Sequence, residues 1–421
     1  MEWYNLFICT IYILTQTFYL TGGEHDMRLS NDRYKDQIPG GLYKIGMIAK
    51  KLERDGRKLI HMEIGQPDFD SPEAAKTGAI NALNEGKVSY TSVRGIYPLR
   101  QAVSEKEALK GLHYNPRDEI IITSGASDAL ASAFITMLEP GEEVLCFSPY
   151  YADYPEIIRL SGATIKEVPM VLKEKWIVDI DLFENSVSNN TKLILINTPN
   201  NPCGYNLSEE ALFRIAEIAK KYSLPVISDE CYDELIYSGT HNSIATLPGM
   251  RERTIVIKSM SKSYSMTGWR IGYAMGPKEL INNVTSGHYA IATSAVSFAQ
   301  WGALGAINHG NPFTEALVSE FKKRSEYMYE KLKSIPGIKI AKPEGSMFLF
   351  PDVSYFGMED FELCTYLMDE AGVVTTPGSI FGKAGTGHIR IAYCVPFREI
   401  VKSTDALTAA FKKLKTPDSI Y

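Results

Sequence analysis

Short, β-branched apolar runs alternate along the chain with longer segments whose apolar residues recur at helical spacing. Glu119-Ile-Ile-Ile-Thr123, Glu143-Val-Leu-Cys-Phe147, Lys192-Leu-Ile-Leu-Ile-Asn197, Leu224-Pro-Val-Ile-Ser228 and Thr254-Ile-Val-Ile-Lys258 read as strands. Asp128 to Leu138 and Glu209 to Tyr222 carry helical composition between them. Such an alternation predicts an α/β fold, a mainly parallel sheet with helices on both faces. Ala299 to Ile307 and Pro312 to Ile335 predict two more helices. The last third changes character: Ile338-Lys-Ile-Ala341, Met347-Phe-Leu-Phe350 and His388-Ile-Arg390-Ile-Ala392 read as short strands, with the helix-like segment Asp360 to Glu370 among them. The expected division is a large domain over 77–312 and a smaller α+β domain built from 27–76 and 313–421.

Each strand of the first group runs into a polar, Gly or Pro cluster. Thr123-Ser-Gly125-Ala126-Ser127 follows the first, Ser148-Pro-Tyr150-Tyr151 the second, and Asn197-Thr-Pro-Asn-Asn201-Pro202-Cys203-Gly204 the third. Ser228-Asp229-Glu-Cys-Tyr232 follows the fourth. Ligands of open α/β sheets bind beyond the carboxyl ends of the strands, so these clusters are expected to converge.

The fifth strand leads into Ser259-Met-Ser261-Lys262-Ser-Tyr-Ser-Met-Thr-Gly-Trp-Arg270-Ile-Gly272. Two hydroxyls and an arginine suit a phosphate, because Arg offers a planar fork of donors and Ser adds short hydrogen bonds. A lysine inside that cradle can form a Schiff base with an aldehyde carried on the phosphate. The combination points to pyridoxal 5′-phosphate (PLP). A lysine in a serine-rich turn is by itself an ordinary solvated residue; the Gly268-Trp-Arg270-Ile-Gly272-Tyr273 continuation and the clusters after the other strands outweigh that reading.

Composition narrows the picture further. With 45% hydrophobic and 22% charged residues in 421, the chain is that of an ordinary globular protein. A formal net charge of −6 gives no basic footprint for nucleic acid. The six cysteines form no Cys-x-x-Cys pair and the seven histidines no His-Glu-x-x-His, so no metal site is expected and the thiols read as reduced, in a cytoplasmic protein. Neither a Gly-x-Gly-x-x-Gly turn after a strand nor a P-loop is present. Trp3 to Thr21 lacks charge, but threonines dilute it and no basic n-region or cleavage site accompanies it. Residues 1–26 are expected to be an apolar extension rather than a membrane anchor or targeting segment, with Met27 a candidate start.

These motifs resemble those of fold-type I PLP-dependent aminotransferases of class I/II, in the aspartate-aminotransferase-like branch, from about Tyr34 to the C-terminus. Asn201-Pro-x-Gly, Asp229-x-x-Tyr232, Ser-x-Ser-Lys262 and a late Arg390 stand in that family's order and spacing. The resemblance implies that Lys262 is the Schiff-base lysine and proton carrier, and that Asp229 pairs with the pyridine nitrogen. Tyr232 and Asn201 would hydrogen-bond the ring hydroxyl, and Tyr151 would stack on the ring, ranking ahead of Tyr150. Ser259, Ser261, Arg270 and the Ala126 and Ser127 amides beyond Gly125 would hold the phosphate. Arg390 would bind the substrate α-carboxylate with the Gly65 backbone, and Asn201 would lie beside it. Tyr90 resembles the tyrosine that reaches the neighbouring subunit's phosphate, which implies a homodimer with shared active sites.

Two residues depart from the family pattern. Cys203 stands where Thr is usual, and Ser127 stands where some aspartate-specific relatives have a lysine. The function implied is ping-pong transfer of the amino group of an L-amino acid, aspartate the first-guess donor, to a 2-oxo acid such as 2-oxoglutarate. A PLP-dependent C–S β-lyase of the same fold is the alternative, since the cofactor serves either chemistry. The effector domain of a transcription regulator is the third; about 26 mostly apolar residues before the family-like body are too few for a DNA-binding domain.

Overall fold

A computed structural model of the protein describes residues 41–414; the apolar segment Trp3 to Thr21 and the candidate start Met27 lie outside them. The central sheet has seven strands: β1 (Ile120–Thr123), β2 (Glu143–Ser148), β3 (Thr164–Pro169), β4 (Thr191–Asn197), β5 (Val226–Asp229), β6 (Thr254–Ser259) and β7 (Gly272–Met275). They lie in the order β1-β7-β6-β5-β4-β2-β3. All neighbours are parallel except β7, which runs antiparallel to both β1 and β6. Strands β1, β5, β6 and β7 are buried at every position, as strands covered on both faces must be.

The helices follow local sequence signals. Glu209–Lys221 starts at Ser208, whose side chain accepts the Ala211 amide, carries Glu209 and Glu210 in its first turn, and ends on Lys220 and Lys221. Leu212, Ile215, Ala216 and Ala219 form its buried stripe. Helix Ser297–His309 lies so close on Glu73–Asn84 that a Cβ on Gly78 would sit 2.6 Å from the Trp301 carbonyl oxygen. In the C-terminal part, helices Asn311–Lys333, Asp360–Ala371 and Phe397–Lys413 contribute to one hydrophobic cluster with Ile45, Ala49 and Met62.

A three-stranded antiparallel sheet of Phe348–Leu349, Ile389–Ala392 and Thr376–Pro377 belongs to the same region. The expected strand at Ile338 to Ala341 reduces to one bridge, Lys339 with Asp352. Pro336 and Pro343 bracket it and deny a longer ladder its donors.

Helix Gly41–Arg54 is tied to the short strand Ile60–His61 through one imidazole. His61 Nδ1 lies 2.8 Å from Glu63 and Nε2 3.0 Å from Glu53. The hydrogen bond to Glu63, with Glu53 adding, raises the His61 pKa to about 9 against partial burial. A raised folded-state pKa contributes stability that is complete below the unfolded value of about 6.5 and is lost as pH climbs through the folded one. His61→Gln is therefore expected to lower the melting temperature at pH near 6 and to leave it unchanged near pH 10; equal effects at both would sink the ion-pair account.

Candidate active site

The carboxyl ends of three adjacent strands deliver polar residues side by side. Asn197 ends β4, Asp229 ends β5, and Ser259 ends β6; Asn197 and Asp229 are in register. Asn197 braces both neighbours, donating from Nδ2 to the Asp229 carbonyl at 3.0 Å and accepting the Asn201 amide at 2.8 Å. The Asp229 carboxylate accepts from the Tyr154 hydroxyl at 2.6 Å and the Cys231 amide at 3.2 Å. Burial raises the Asp229 pKa while those two donors oppose the rise. A cation beside this carboxylate would reverse the balance.

Strand β1 ends at Thr123, and the chain turns through Gly125 into helix Ala126–Met137. Gly125 has φ +89°, and a Cβ there would sit 2.5 Å from Arg270 Nη2. Arg270 itself is left-handed, with φ +55°, and donates to the Thr267 carbonyl at 3.0 Å. The Ser259 hydroxyl accepts the Ser261 amide at 3.1 Å. A guanidinium, two hydroxyls and the free amides of a helix N-terminus make a site for a phosphate dianion. Gly125→Ala strains the turn by about 1–3 kcal/mol and pushes the guanidinium away. The expected result is a lower melting temperature with weaker PLP binding, read by thermal denaturation and by titration with PLP.

Lys262 opens on the same cavity and donates to the Gly65 carbonyl at 2.6 Å. Burial lowers its pKa, the Cys394 and Cys231 thiols oppose, and Arg390 and Arg270 add to the lowering. The two thiols are themselves kept protonated, Cys394 pushed up to about 12 and Cys231 well above its ordinary value by burial. Their opposition is thus absent near neutrality, and burial with the two guanidinium groups shifts the amine toward its neutral form.

Arg390 is 4% exposed, its guanidinium 4.4 Å from the Phe348 ring centre and 4.8 Å from that of Phe381. Its Nη1 donates to Asn201 Oδ1 at 3.0 Å and its Nη2 to the Glu63 carbonyl, both neutral oxygens. Its Nε has no partner, and among the described residues no carboxylate pairs with it. A buried cation so placed suits an incoming carboxylate.

These side chains line one cavity of about 300 Å³, at the lower end of the roughly 300–1,000 Å³ of small-molecule sites. Ala126, Ser127, Tyr151, Asn201, Asp229, Tyr232, Ser259, Ser261, Lys262, Arg270, Arg390 and Gly65 all reach it, and Gly125 lies behind the Arg270 guanidinium. Of the two candidate stacking tyrosines, Tyr151 lines the cavity with its hydroxyl 2.6 Å from Asp153, whereas Tyr150 is buried against Glu167. Tyr90 does not reach the cavity and is 88% exposed. The donor set fits PLP: a phosphate cradle, a buried carboxylate for a ring nitrogen, a flat ring at the wall and a lysine between them. Sequence reasoning missed Asn197 and Tyr154. Asn197 was open to discovery as the last residue of a strand, while nothing local marks Tyr154 as the partner of Asp229.

Comparison with known proteins agrees with this geometry. The probable N-acetyl-LL-diaminopimelate aminotransferase of Bacillus subtilis (strain 168) is 39% identical over 90% of this chain and 95% of its own length. The probable aspartate aminotransferase of Methanocaldococcus jannaschii is 37% identical, covering 91% and 100%. Aspartate aminotransferase from Thermus thermophilus with maleate superposes with a TM-score of 0.86 at 33% identity, over 91% of this chain and all of that one. The C–S β-lyase alternative finds no support among these relatives. The model of aminotransferase class I and II matches residues 57–403, so the chain belongs to that family of PLP-dependent transaminases.

Proposed function

We propose that Lys262, Asp229 and Arg390 divide the work of transamination in this cavity. Lys262 is the residue that takes the proton from the donor's Cα and returns it on the far side of the transfer. Its support is a buried amine with a lowered pKa in the same cavity as a buried carboxylate and an unpaired guanidinium. Bound PLP supplies an aldehyde to which amines add and a ring that takes up the electron pair left when the Cα–H bond breaks. Asp229 would hold the ring nitrogen protonated, Tyr232 and Asn201 would donate to the ring hydroxyl, and Tyr151 would cover one face. Ser259, Ser261, Arg270 and the Ala126 and Ser127 amides would hold the phosphate. Arg390 would orient the substrate by its α-carboxylate beside the Gly65 backbone.

Aspartate is the donor to test first, with 2-oxoglutarate as acceptor; the names of the Methanocaldococcus and Thermus relatives favour it. Among the described residues Lys262, Arg270 and Arg390 are the only basic side chains lining the cavity, and each already has a role. A distal carboxylate would then meet a group from a second subunit. Tyr90 and the exposed Val88, Val296 and Phe298 support a homodimer, since the Ser297 hydroxyl donates to the Lys87 carbonyl and joins the two segments into one apolar surface. The buried free cysteines Cys146, Cys203, Cys231, Cys364 and Cys394 suit a reducing, cytoplasmic setting. The division into a domain of 77–312 and one of 27–76 with 313–421 is favoured by the hydrophobic cluster that Ile45, Ala49 and Met62 share with the C-terminal helices.

The test is rapid mixing of the PLP-loaded protein with single L-amino acids and no oxo acid. A true donor releases one equivalent of its oxo acid per site and stops, without ammonia, until 2-oxoglutarate is added. Continuing release of pyruvate and ammonia would overturn the reading.

A further inference from the structure

Directly behind the site, on the opposite face of β6, lies a cluster of buried charges that the reaction does not use. Lys258 precedes Ser259, and alternation along a strand sends the two side chains to opposite faces. Ser259 lines the cavity, while Lys258 is 2% exposed and buried away from it. Its ammonium lies 2.5 Å from Glu107, 2.7 Å from Asp233 and 3.7 Å from Glu230. Glu107 and Glu230 are fully buried.

Two of the partners belong to a segment whose neighbouring residues enter the cavity, and the third reaches it through an intermediary. Glu230 and Asp233 flank Asp229 and Tyr232 in sequence. Glu107 accepts the Tyr273 hydroxyl at 2.9 Å, and Tyr273 follows Gly272, where a Cβ would sit 2.7 Å from the Ala126 amide nitrogen. Glu230 is fixed further by the Ser228 hydroxyl at 2.9 Å and the Ser243 hydroxyl at 2.5 Å, with His241 Nε2 at 3.1 Å. Lys110 adds contacts to Asp233 at 2.6 Å and Glu234 at 2.5 Å. Burial alone would drive the charge off Lys258; Asp233, Glu107 and Glu230 together outweigh it and hold its pKa well above that of an ordinary lysine.

The geometry points to Lys258, with Glu107, Glu230 and Asp233, as a positioning clamp that joins the Asp229–Tyr232 turn to the Ser259–Lys262 turn and so sets how tightly the protein holds PLP. A buried ion cluster is weak evidence for stability, since a neutral replacement of similar shape often folds as well. Its directional bonds add to the backbone hydrogen bond from the Glu230 amide to the Ile257 carbonyl at 2.9 Å, which ties the first turn to β6 just beyond the end of β5. This clamp rests on the roles proposed above for Asp229 and Lys262.

The test is a triple variant, Lys258→Met with Glu107→Gln and Asp233→Asn, which removes three of the charges together and leaves Glu230 its bonds to Ser228, Ser243 and His241 and Lys110 its bond to Glu234. Equilibrium dialysis of the full-length apoprotein against PLP gives the affinity, and calorimetry of the same apoprotein gives its melting temperature. The expected result is PLP affinity weakened roughly tenfold, the lower end of the ~10–100-fold that outer partners of a metal's ligands contribute, with apoprotein melting retained. A lowered melting temperature with unchanged PLP affinity in the folded protein means a merely structural cluster and overturns the clamp. Should the triple variant not fold, Glu107→Gln alone keeps Lys258 paired with Asp233 and can still accept from Tyr273. It is expected to loosen PLP several-fold, and unchanged affinity again overturns the proposal. Absence of PLP binding by the unmodified protein overturns the clamp together with the reading of the site, whereas normal binding there and in both variants overturns the clamp alone.

Discussion

Lys262→Ala is expected to slow amino-group transfer on the order of 10⁴-fold, the upper range for loss of a positioned general base. PLP should remain bound, because the phosphate cradle proposed for Ser259, Ser261, Arg270 and the helix amides does not involve that side chain. Lys262→Arg should fail equally: a guanidinium stays charged in proteins and cannot take a proton. In the unmodified enzyme the rate should rise with pH through the Lys262 pKa. Burial and the nearby guanidinium groups hold that value below the ordinary lysine figure of about 10.4. Turnover numbers with saturating donor and acceptor, measured beside the bound-PLP content, check this. A variant that turns over within a few-fold of the parent would remove Lys262 from the chemistry.

Arg390→Ala is the second large effect, and it should fall on substrate capture. The guanidinium is buried, held by the neutral oxygens of Asn201 and Glu63, and lacks a carboxylate partner among the described residues. A substrate carboxylate would supply the missing charge. Losing one side of a buried, hydrogen-bonded charge pair costs about 2–5 kcal/mol, which is roughly 30- to 5,000-fold in kcat/KM. Donor and acceptor should suffer alike, because both bring a carboxylate. Arg390→Lys should recover only part, since an ammonium cannot reproduce a bidentate fork. Unchanged KM values with a depressed kcat would place Arg390 elsewhere in the reaction.

The sheet was legible in the sequence wherever a β-branched apolar run is buried on both faces. Thr254-Ile-Val-Ile-Lys258 and Lys192-Leu-Ile-Leu-Ile-Asn197 read as strands because nothing polar interrupts them, and they became β6 and β4. The edge strand β3 escaped: its sequence, Thr-Ile-Lys-Glu-Val-Pro, is half polar because one side meets solvent. β7 escaped as well, because Gly272-Tyr-Ala-Met275 is short, opens on glycine and lacks a β-branched residue, and is held by its two antiparallel neighbours.

Lys262 and Asp229 were found through motifs that follow strands and Arg390 through the family resemblance, and all three line the one cavity. What supports them was not. Tyr154 meets Asp229 across 75 positions of chain, and Glu107 meets Lys258 across 151. No local periodicity encodes either pairing. Lys258 in particular ends an apolar run and reads as the point where a strand surfaces, yet it is among the most buried side chains of the fold.

The order of the central strands carries a further consequence, for how the molecule comes into being. β7 lies between β1 and β6, so β1 cannot join the sheet until a strand some 150 positions later has been made. The cavity itself draws on residues from Leu42 to Arg390. Pairings this distant are slow to form, since the loop must close before any contact rewards it. A nascent chain therefore has no complete cavity until Arg390 has been made, and the substrate's side of the site is the last part to be assembled.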